Sequence, residues 1–192
     1  MPLTAPEERE EIHHRRISMK AYRRKDGLYD VESQLVDTKP FAFQRVTGDP
    51  VPAGNSLHDL SIRIVLDVNY TIRAVEASSD STPFPMCRQA ERTLSVLIGE
   101  RVGRGWSRLV KERLRGAASC THLAEMLIPL ATTALQGIRG LNQERLHEKA
   151  SDGRPSKLDS CLAYATTGEL VRMLWPEHHR SEPALPPATE RA

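Results

Sequence analysis

A regular alternation of apolar and polar residues between positions 60 and 68 constrains the fold more than any other feature of the sequence. Successive side chains of a β-strand point to opposite faces, so this alternation predicts a strand with one buried face. The residues predicted to lie on that face are Leu60, Ile62, Ile64, Leu66 and Val68. Similar patterns predict strands over 16–22, over 28–36 after the Asp26-Gly27 turn, and over 72–77. We therefore predict an antiparallel sheet of about four strands in the first half of the chain.

The middle of the chain has a helical rather than an alternating period. Apolar residues recur at spacings of three and four, which is typical of helices with one buried face. The three stripes are Ala90, Leu94, Leu97 and Ile98; Trp106, Leu109, Val110 and Leu114; and Leu123, Met126, Leu127, Leu130, Ala131, Ala134, Leu135 and Ile138. Pro129 lies inside the third stripe and is expected to kink or divide that helix. Residues 161–175, with Thr167-Gly168 at their centre, are predicted to form a hairpin. The predicted class is α+β: an N-terminal antiparallel sheet of about four strands, covered by three helices, with a C-terminal hairpin.

The length and the charge pattern suggest one domain with loose ends. We expect residues 1–12 to be a loose lead, residues 13–177 to form a single α+β domain and residues 178–192 to be a disordered tail. The 192 residues include 27 basic and 25 acidic side chains, and only 5% of residues are aromatic. Both values argue against a nucleic-acid partner.

Residues 1–16 are charged and lack the apolar stretch typical of a signal peptide, and no apolar run approaches the ~20 residues that a membrane span needs. We therefore expect no membrane partner and a cytoplasmic location. The three cysteines should then be thiols rather than disulfides.

The cysteines and two histidines are the predicted functional residues. Cys87 and Cys120 each directly precede a predicted helix, in phase with its apolar stripe. A helix N-terminus favours a thiolate, and both thiols are expected to point toward the sheet. His122 follows Cys120 by two residues, His58 continues the inward row of the strand that contains Leu60, and Cys161 opens the predicted hairpin. Thiolate and imidazole are ligands of zinc and of iron–sulfur clusters, so this set is a candidate metal site.

Three functional hypotheses remain open at this stage. The first is a metal- or iron–sulfur-binding accessory or carrier protein that uses these ligands. The second is a small enzyme with Cys120 as nucleophile and His122 or His58 as base. The third is a non-catalytic module for an unidentified protein or small-molecule partner, in which the cysteines only fill space, as buried free cysteines often do.

Several short motifs resemble one uncharacterised bacterial family. They are Arg24-Lys25-Asp26-Gly27-Leu28-Tyr29-Asp30, Asp37-Thr38-Lys39, His58-Asp59, Gly105-Trp106 and Cys120-Thr121-His122-Leu123 with Glu125. The resemblance covers about residues 14–177 and departs at Ser119, where the family usually carries glycine. It implies a shared fold and no activity, because the family is one of unknown function.

A second resemblance is to the iron–sulfur scaffold proteins. Those proteins also place strands first, then a cysteine loop before a helix, and Cys87 falls at the analogous place. The glycine-flanked cysteine loops and the adjacent His-Cys pair of the scaffold are absent here. This likeness implies three cysteines and a histidine or aspartate as cluster ligands.

Overall fold

The computed structural model describes residues 3–141, 149–150 and 152–181. The spatial contacts between residues divide the chain into two compact units, Met1–Leu141 and Asn142–Ala192. The predicted sheet, helices and lead lie in the first unit. Most of the predicted tail, residues 182–192, lies outside the described residues. None of the helices in the described ranges has both the length and the apolar character that a membrane crossing requires.

The predicted four-stranded antiparallel sheet is confirmed. Its strands lie in the order β1-β2-β5-β6 and span His14–Arg23, Tyr29–Thr38, Ser56–Leu66 and Ile72–Ser81. Two short strands, β3 (Phe43–Gln44) and β4 (Pro50–Val51), pair with each other in the segment between β2 and β5. The inner rows of β2 and β5 form the centre of the core, where Val31, Leu35 and Ile64 are fully buried. Val68 was wrongly placed in the inner row: β5 ends at Leu66, and the tight turn that follows leaves Val68 about half exposed (49%).

Three helical elements follow the sheet: the first packs on β6, the third packs on β1 and β2, and the second packs on the third. They are a 3₁₀ helix (Pro85–Leu97), α1 (Trp106–Arg113) and α2 (Thr121–Leu141). The first was predicted as an ordinary helix; its 3₁₀ geometry buries Leu94 and Leu97, three residues apart, and leaves Ile98 exposed. The helix α2 continues through Pro129 and is not divided there. The Trp106 indole N–H donates to the Leu127 carbonyl oxygen (2.8 Å) and so fixes α1 against α2.

The second unit corrects the predicted C-terminal hairpin. Residues 162–178 form a 3₁₀ turn (Leu162–Tyr164), a short helix α3 (Glu169–Leu174) and a further 3₁₀ turn (Pro176–His178). Gly168 is extended and precedes the first residue of α3 instead of forming the tip of a hairpin. The helical choice suits the sequence, because Glu169 and Arg172 pair at i,i+3 across the first turn of α3.

Candidate functional site

A row of polar side chains crosses the sheet where the apolar inner rows end. In the strand register Arg15 of β1 lies opposite Asp37 of β2, and Asp37 lies opposite His58 of β5. Asp37 continues the buried row of alternate residues that starts at Tyr29, and His58 continues the row of Leu60. Because side chains alternate with a period of two, all three polar groups face the helices. The sheet therefore presents a carboxylate between two nitrogen donors.

Asp37 is buried and forms hydrogen bonds with both of its neighbours in this row. Its carboxylate accepts two hydrogen bonds from the Arg15 guanidinium (2.8 Å each) and one from His58 Nδ1 (2.9 Å). His13 Nε2 lies 3.3 Å from the same carboxylate. Burial opposes ionisation of Asp37, but the Arg15 and His58 interactions outweigh it and lower the carboxyl pKa to about 2. Asp37 is thus a fixed anion, and its side chain is only 1% exposed.

His58 is oriented by this carboxylate. Since its Nδ1–H donates to Asp37, the other ring nitrogen, Nε2, is the one left to bind a ligand. The ring of His122 lies beside it, with the two ring centroids 4.0 Å apart. Burial, followed by the neighbouring charge of His122, lowers the pKa of His58 although Asp37 acts in the opposite direction. His58 is therefore held as a neutral imidazole.

Cys120 caps the N-terminus of α2. Its carbonyl oxygen accepts the first helical hydrogen bond from the Ala124 N–H (3.0 Å), and its Sγ lies 3.8 Å from Nδ1 of His122. Burial raises the pKa of the Cys120 thiol, but hydrogen bonds from the His122 ring and from the Leu123 and His122 backbone N–H groups produce a net decrease. The hydrogen bond to Cys120 raises the pKa of His122 in return. The two shifts are coupled: each group favours the charged form of the other.

Cys87, in the first turn of the 3₁₀ helix, lines a cavity that the cluster also lines. That helix is joined to the loop before α2 by a hydrogen bond between the hydroxyls of Thr93 and Ser119 (2.7 Å). A cavity of about 610 Å³ lies between the sheet edge and these two segments. Its lining includes all four predicted donors of the first unit: His58, Cys87, Cys120 and His122.

Cys161, the fifth predicted ligand, lies in the second unit. It is exposed and directly precedes the 3₁₀ turn Leu162–Tyr164. Sequence reasoning did not assign Asp37 and Arg15 to the site. Asp37 carried a usable signal, since it ends an inward row on β2 as His58 does on β5. Arg15 carried none, because it lies in a run of exposed basic residues.

Three side chains of the cluster lie close enough together to hold a small metal ion, and neither Cys87 nor Cys120 is among them. Ligand atoms of Asp37, His58 and His122 all lie within 4.8 Å of one another. A tetrahedral zinc ion with ordinary Zn–S and Zn–N bonds separates a sulfur from a nitrogen ligand by about 3.5 Å, close to the 3.8 Å between Cys120 Sγ and His122 Nδ1. Both oxygens of Asp37 are already engaged, so Asp37 fits the role of a carboxylate that orients a ligating histidine.

A comparison with known protein families finds a match over the sheet and the helices that carry the cluster. A family model described as "Protein of unknown function (DUF2889)" matches residues 13–136. The chain belongs to the DUF2889 family. The match confirms the resemblance to a family of unknown function and contains every residue of the cluster, from Arg15 to His122. No curated protein and no solved structure matches this chain.

Proposed function

We propose that this DUF2889 protein is a metal-binding accessory or carrier protein whose ligands are His58, His122, Cys120 and Cys87. The observation that carries the proposal is the orientation of His58 by Asp37. A ligating histidine almost always donates its second ring N–H to a carboxylate or carbonyl group, which fixes the tautomer and the ring direction. The hydrogen bond of His58 Nδ1 to the buried Asp37 meets that requirement and leaves Nε2 to bind an ion, in a ring whose centroid lies 4.0 Å from that of His122.

Zinc is the ion that this ligand set fits best. Two thiolates and two imidazoles form a common four-coordinate zinc set. The same residue types also hold one form of iron–sulfur centre, in which two histidines replace two cysteines on one iron. Arg15 and Asp37 form a matched charge pair at the back of the cluster, so the net charge of a zinc site with two thiolates would be near zero.

Partial exposure of the cluster favours a carrier role over a purely structural one. Cys87, Cys120 and His122 are only half-buried, and Met86 beside them is 62% exposed. Structural zinc sites are closed, whereas an ion that is handed to a partner must be reachable from the solvent. We therefore expect the bound ion to pass to a competing chelator within minutes.

Elemental analysis of protein purified without oxygen tests the proposal. We expect about one zinc per chain in the wild type, and we expect His58→Ala, His122→Ala and Cys120→Ser each to lower the zinc content at least tenfold at a fixed free-zinc level. Asp37→Asn should lower the affinity 10- to 100-fold, because it acts through the orientation of His58. Iron and acid-labile sulfide instead of zinc would favour the iron–sulfur form.

Two matched variants control for nonspecific loss of a ligand type. His14→Ala removes an exposed histidine on β1, and Cys161→Ser removes the exposed thiol of the second unit. Both should keep the wild-type metal content, since the four donors of the first unit already complete a four-coordinate set. Metal-free wild-type protein that stays folded and takes up no zinc would contradict the proposal.

Nucleophilic catalysis by Cys120 is the second candidate, and the lowered thiol pKa specifically favours it. In this case His122 would stabilise the thiolate, and Cys120 in metal-free protein should react with iodoacetamide at a lower pH than an ordinary thiol. His122→Asn should move that reaction to higher pH. Fast alkylation without metal binding would support the enzyme, whereas protection of Cys120 by stoichiometric zinc would support the metal site.

A further inference from the structure

A second cavity lies between α1 and α2. One of its walls is formed by Thr121, Ala124, Glu125 and Ile128, which recur at i, i+3, i+4 and i+7 and therefore lie along one face of α2. The other wall lies on α1 and on the residues directly after it, between positions 108 and 116. We call this cavity of about 870 Å³ the α1–α2 groove. It is large enough to take several side chains of a partner molecule.

The surface inside the α1–α2 groove is mainly apolar. Val110 and Leu114 of its lining are buried, and Ala124 and Ile128 of α2 are half-buried. An apolar surface that stays open to the solvent between polar side chains is typical of an interaction site. The groove is therefore a candidate docking surface.

Both acidic side chains among the described lining residues already have basic partners. Glu112 accepts a hydrogen bond from Arg108 Nε, one turn earlier on α1 (2.7 Å). A carboxylate oxygen of Glu125 lies 3.5 Å from the Arg15 guanidinium. Neither carboxylate therefore needs a cation from a partner.

Two further basic side chains line the α1–α2 groove outside these pairs. Lys111 and Arg115 are exposed, and no described residue forms an ion pair or a side-chain hydrogen bond with either of them. The charge that the groove leaves without a counterion is therefore positive. Charge complementarity favours a partner that carries Asp or Glu next to its apolar residues.

A helix fits this groove better than an extended segment does. The backbone groups along α1 and α2 are bonded within their own helices, so a strand in the groove would find no backbone partners over an apolar surface. A helix satisfies its own backbone and can place apolar side chains at i, i+3, i+4 and i+7. A second copy of the chain does not supply the required charge, because the 3₁₀ helix over 85–97, α1, α2 and α3 each carry at least as many basic as acidic residues.

We propose that the α1–α2 groove docks an amphipathic helix of a partner protein, with the apolar face of that helix in the groove and its flanking acidic residues beside Lys111 and Arg115. Thr121 lines both this groove and the cavity that contains the proposed metal ligands. A docked helix would therefore lie next to the site of the proposed ion. The docking surface goes beyond the proposed function by assigning the chemistry of a partner, and it does not depend on a bound ion.

The test uses two synthetic peptides that differ only in the sign of their charge. Both have about 18 residues, long enough to form a helix in isolation, and both carry leucine at i, i+3, i+4 and i+7. The flanking positions are glutamate in the first peptide and lysine in the second. Fluorescence anisotropy of each labelled peptide with the metal-free full chain measures its Kd.

We expect the glutamate peptide to bind at least tenfold more tightly than the lysine peptide. Lys111→Glu and Arg115→Glu should each weaken the glutamate peptide about three- to tenfold, because each replaces an attraction with a repulsion at the rim of the groove. Amide ¹H–¹⁵N spectra locate the bound peptide. The amides of Gly116, Ala124 and Ile128 should shift, because these residues line the groove.

Arg16→Glu is the matched control, because Arg16 is an exposed cation on β1 that does not line the groove. It changes the net charge of the chain by the same amount and should bind both peptides like the wild type. Zinc content is measured separately on the same variants, so a missing metal argues against the metal site alone. Equal weakening by Arg16→Glu, Lys111→Glu and Arg115→Glu would assign the binding to net charge and overturn the docking surface. Equal affinity for the two peptides, or no amide shift in the groove, would overturn it as well.

Discussion

At the scale of single residues, Asp37 connects stability with the candidate site. Its carboxylate forms a salt bridge with Arg15 and accepts a hydrogen bond from His58, and its pKa is lowered from 3.8 to about 2. A carboxyl whose folded-state pKa lies below its unfolded value stabilises the fold when ionised. That contribution is complete above the unfolded pKa and is lost as the pH falls through the folded pKa. The relevant window therefore extends from about pH 4 down to about pH 2.

Asp37→Asn should accordingly lower the free energy of unfolding by about 2 kcal/mol near pH 6, and the difference from the wild type should fall to roughly half by pH 3. Urea unfolding of metal-free protein at several pH values measures it. Asp59→Asn is the control, because Asp59 lies next along β5 on the outer face and accepts from Gln34 with an oxygen that asparagine retains. A difference that does not change between pH 6 and pH 3 would show that the Asp37 charge is not linked to folding.

The sequence allowed the thiol–imidazole pair to be predicted, but not its partners. Cys120 and His122 are two residues apart, so a helix start was enough to bring them together. His58 was found because it continues a clear alternating row. The contacts of Arg15 depend on the strand register between β1 and β2, which the pattern of a single strand does not specify. Ser119 departs from the usual family glycine, yet its backbone is extended, so a side chain is accommodated there without strain.

At the scale of elements, the distance between α2 and β1 depends on Gly137. A Cβ atom at this position would lie 3.0 Å from the Cβ of Ala21 on β1. The glycine therefore allows the long helix to pack closely against the edge strand. This contact matters for the site because β1 supplies Arg15 and the start of α2 supplies Cys120.

Gly137→Val should destabilise the protein by about 1–3 kcal/mol, because the added methyl groups overpack the contact with β1. Gly140→Ala on the same helix is the matched control, since a Cβ there meets no atom within 4 Å. It should raise stability by about 0.5–1 kcal/mol through helix propensity alone. Urea unfolding of the two variants measures both effects. Equal stability of Gly137→Val and the wild type would contradict the close packing of α2 on β1.

The elements that were predicted well are those with long, regular patterns. The inner rows of β2 and β5 and the apolar stripe of α2 each extend over several repeats. Because all of these side chains must be buried together, they determine the secondary structure more strongly than the propensity of any single residue. The 3₁₀ form of 85–97 was missed because Leu94 and Leu97 satisfy both helical periods. The C-terminal hairpin was wrong because Thr167-Gly168 was taken as a turn, whereas Gly168 instead precedes a helix.

At the scale of the whole molecule, the site and the family match both fall in one unit. The DUF2889 match ends at residue 136, and the first unit ends at Leu141. The buried core formed by the sheet and by α2 also lies before that residue. If residues 13–177 form the predicted single domain, the first unit needs the second unit in order to fold. If instead the boundary at Leu141 separates two domains, the first unit folds by itself.

A fragment of residues 1–141 decides between these possibilities. We expect it to be soluble, to give a circular dichroism spectrum typical of an α+β protein, and to unfold cooperatively, because the fully buried side chains of the sheet and of α2 are all retained. It should also bind zinc with the stoichiometry of the full chain, since all four proposed ligands precede residue 141. The Cys120→Ser variant of the fragment controls for zinc bound elsewhere.

A fragment that is unfolded, while the full chain folds, would show that the second unit is part of the same domain. A folded fragment that binds no zinc, compared with a full chain that does, would contradict the proposed set of four ligands.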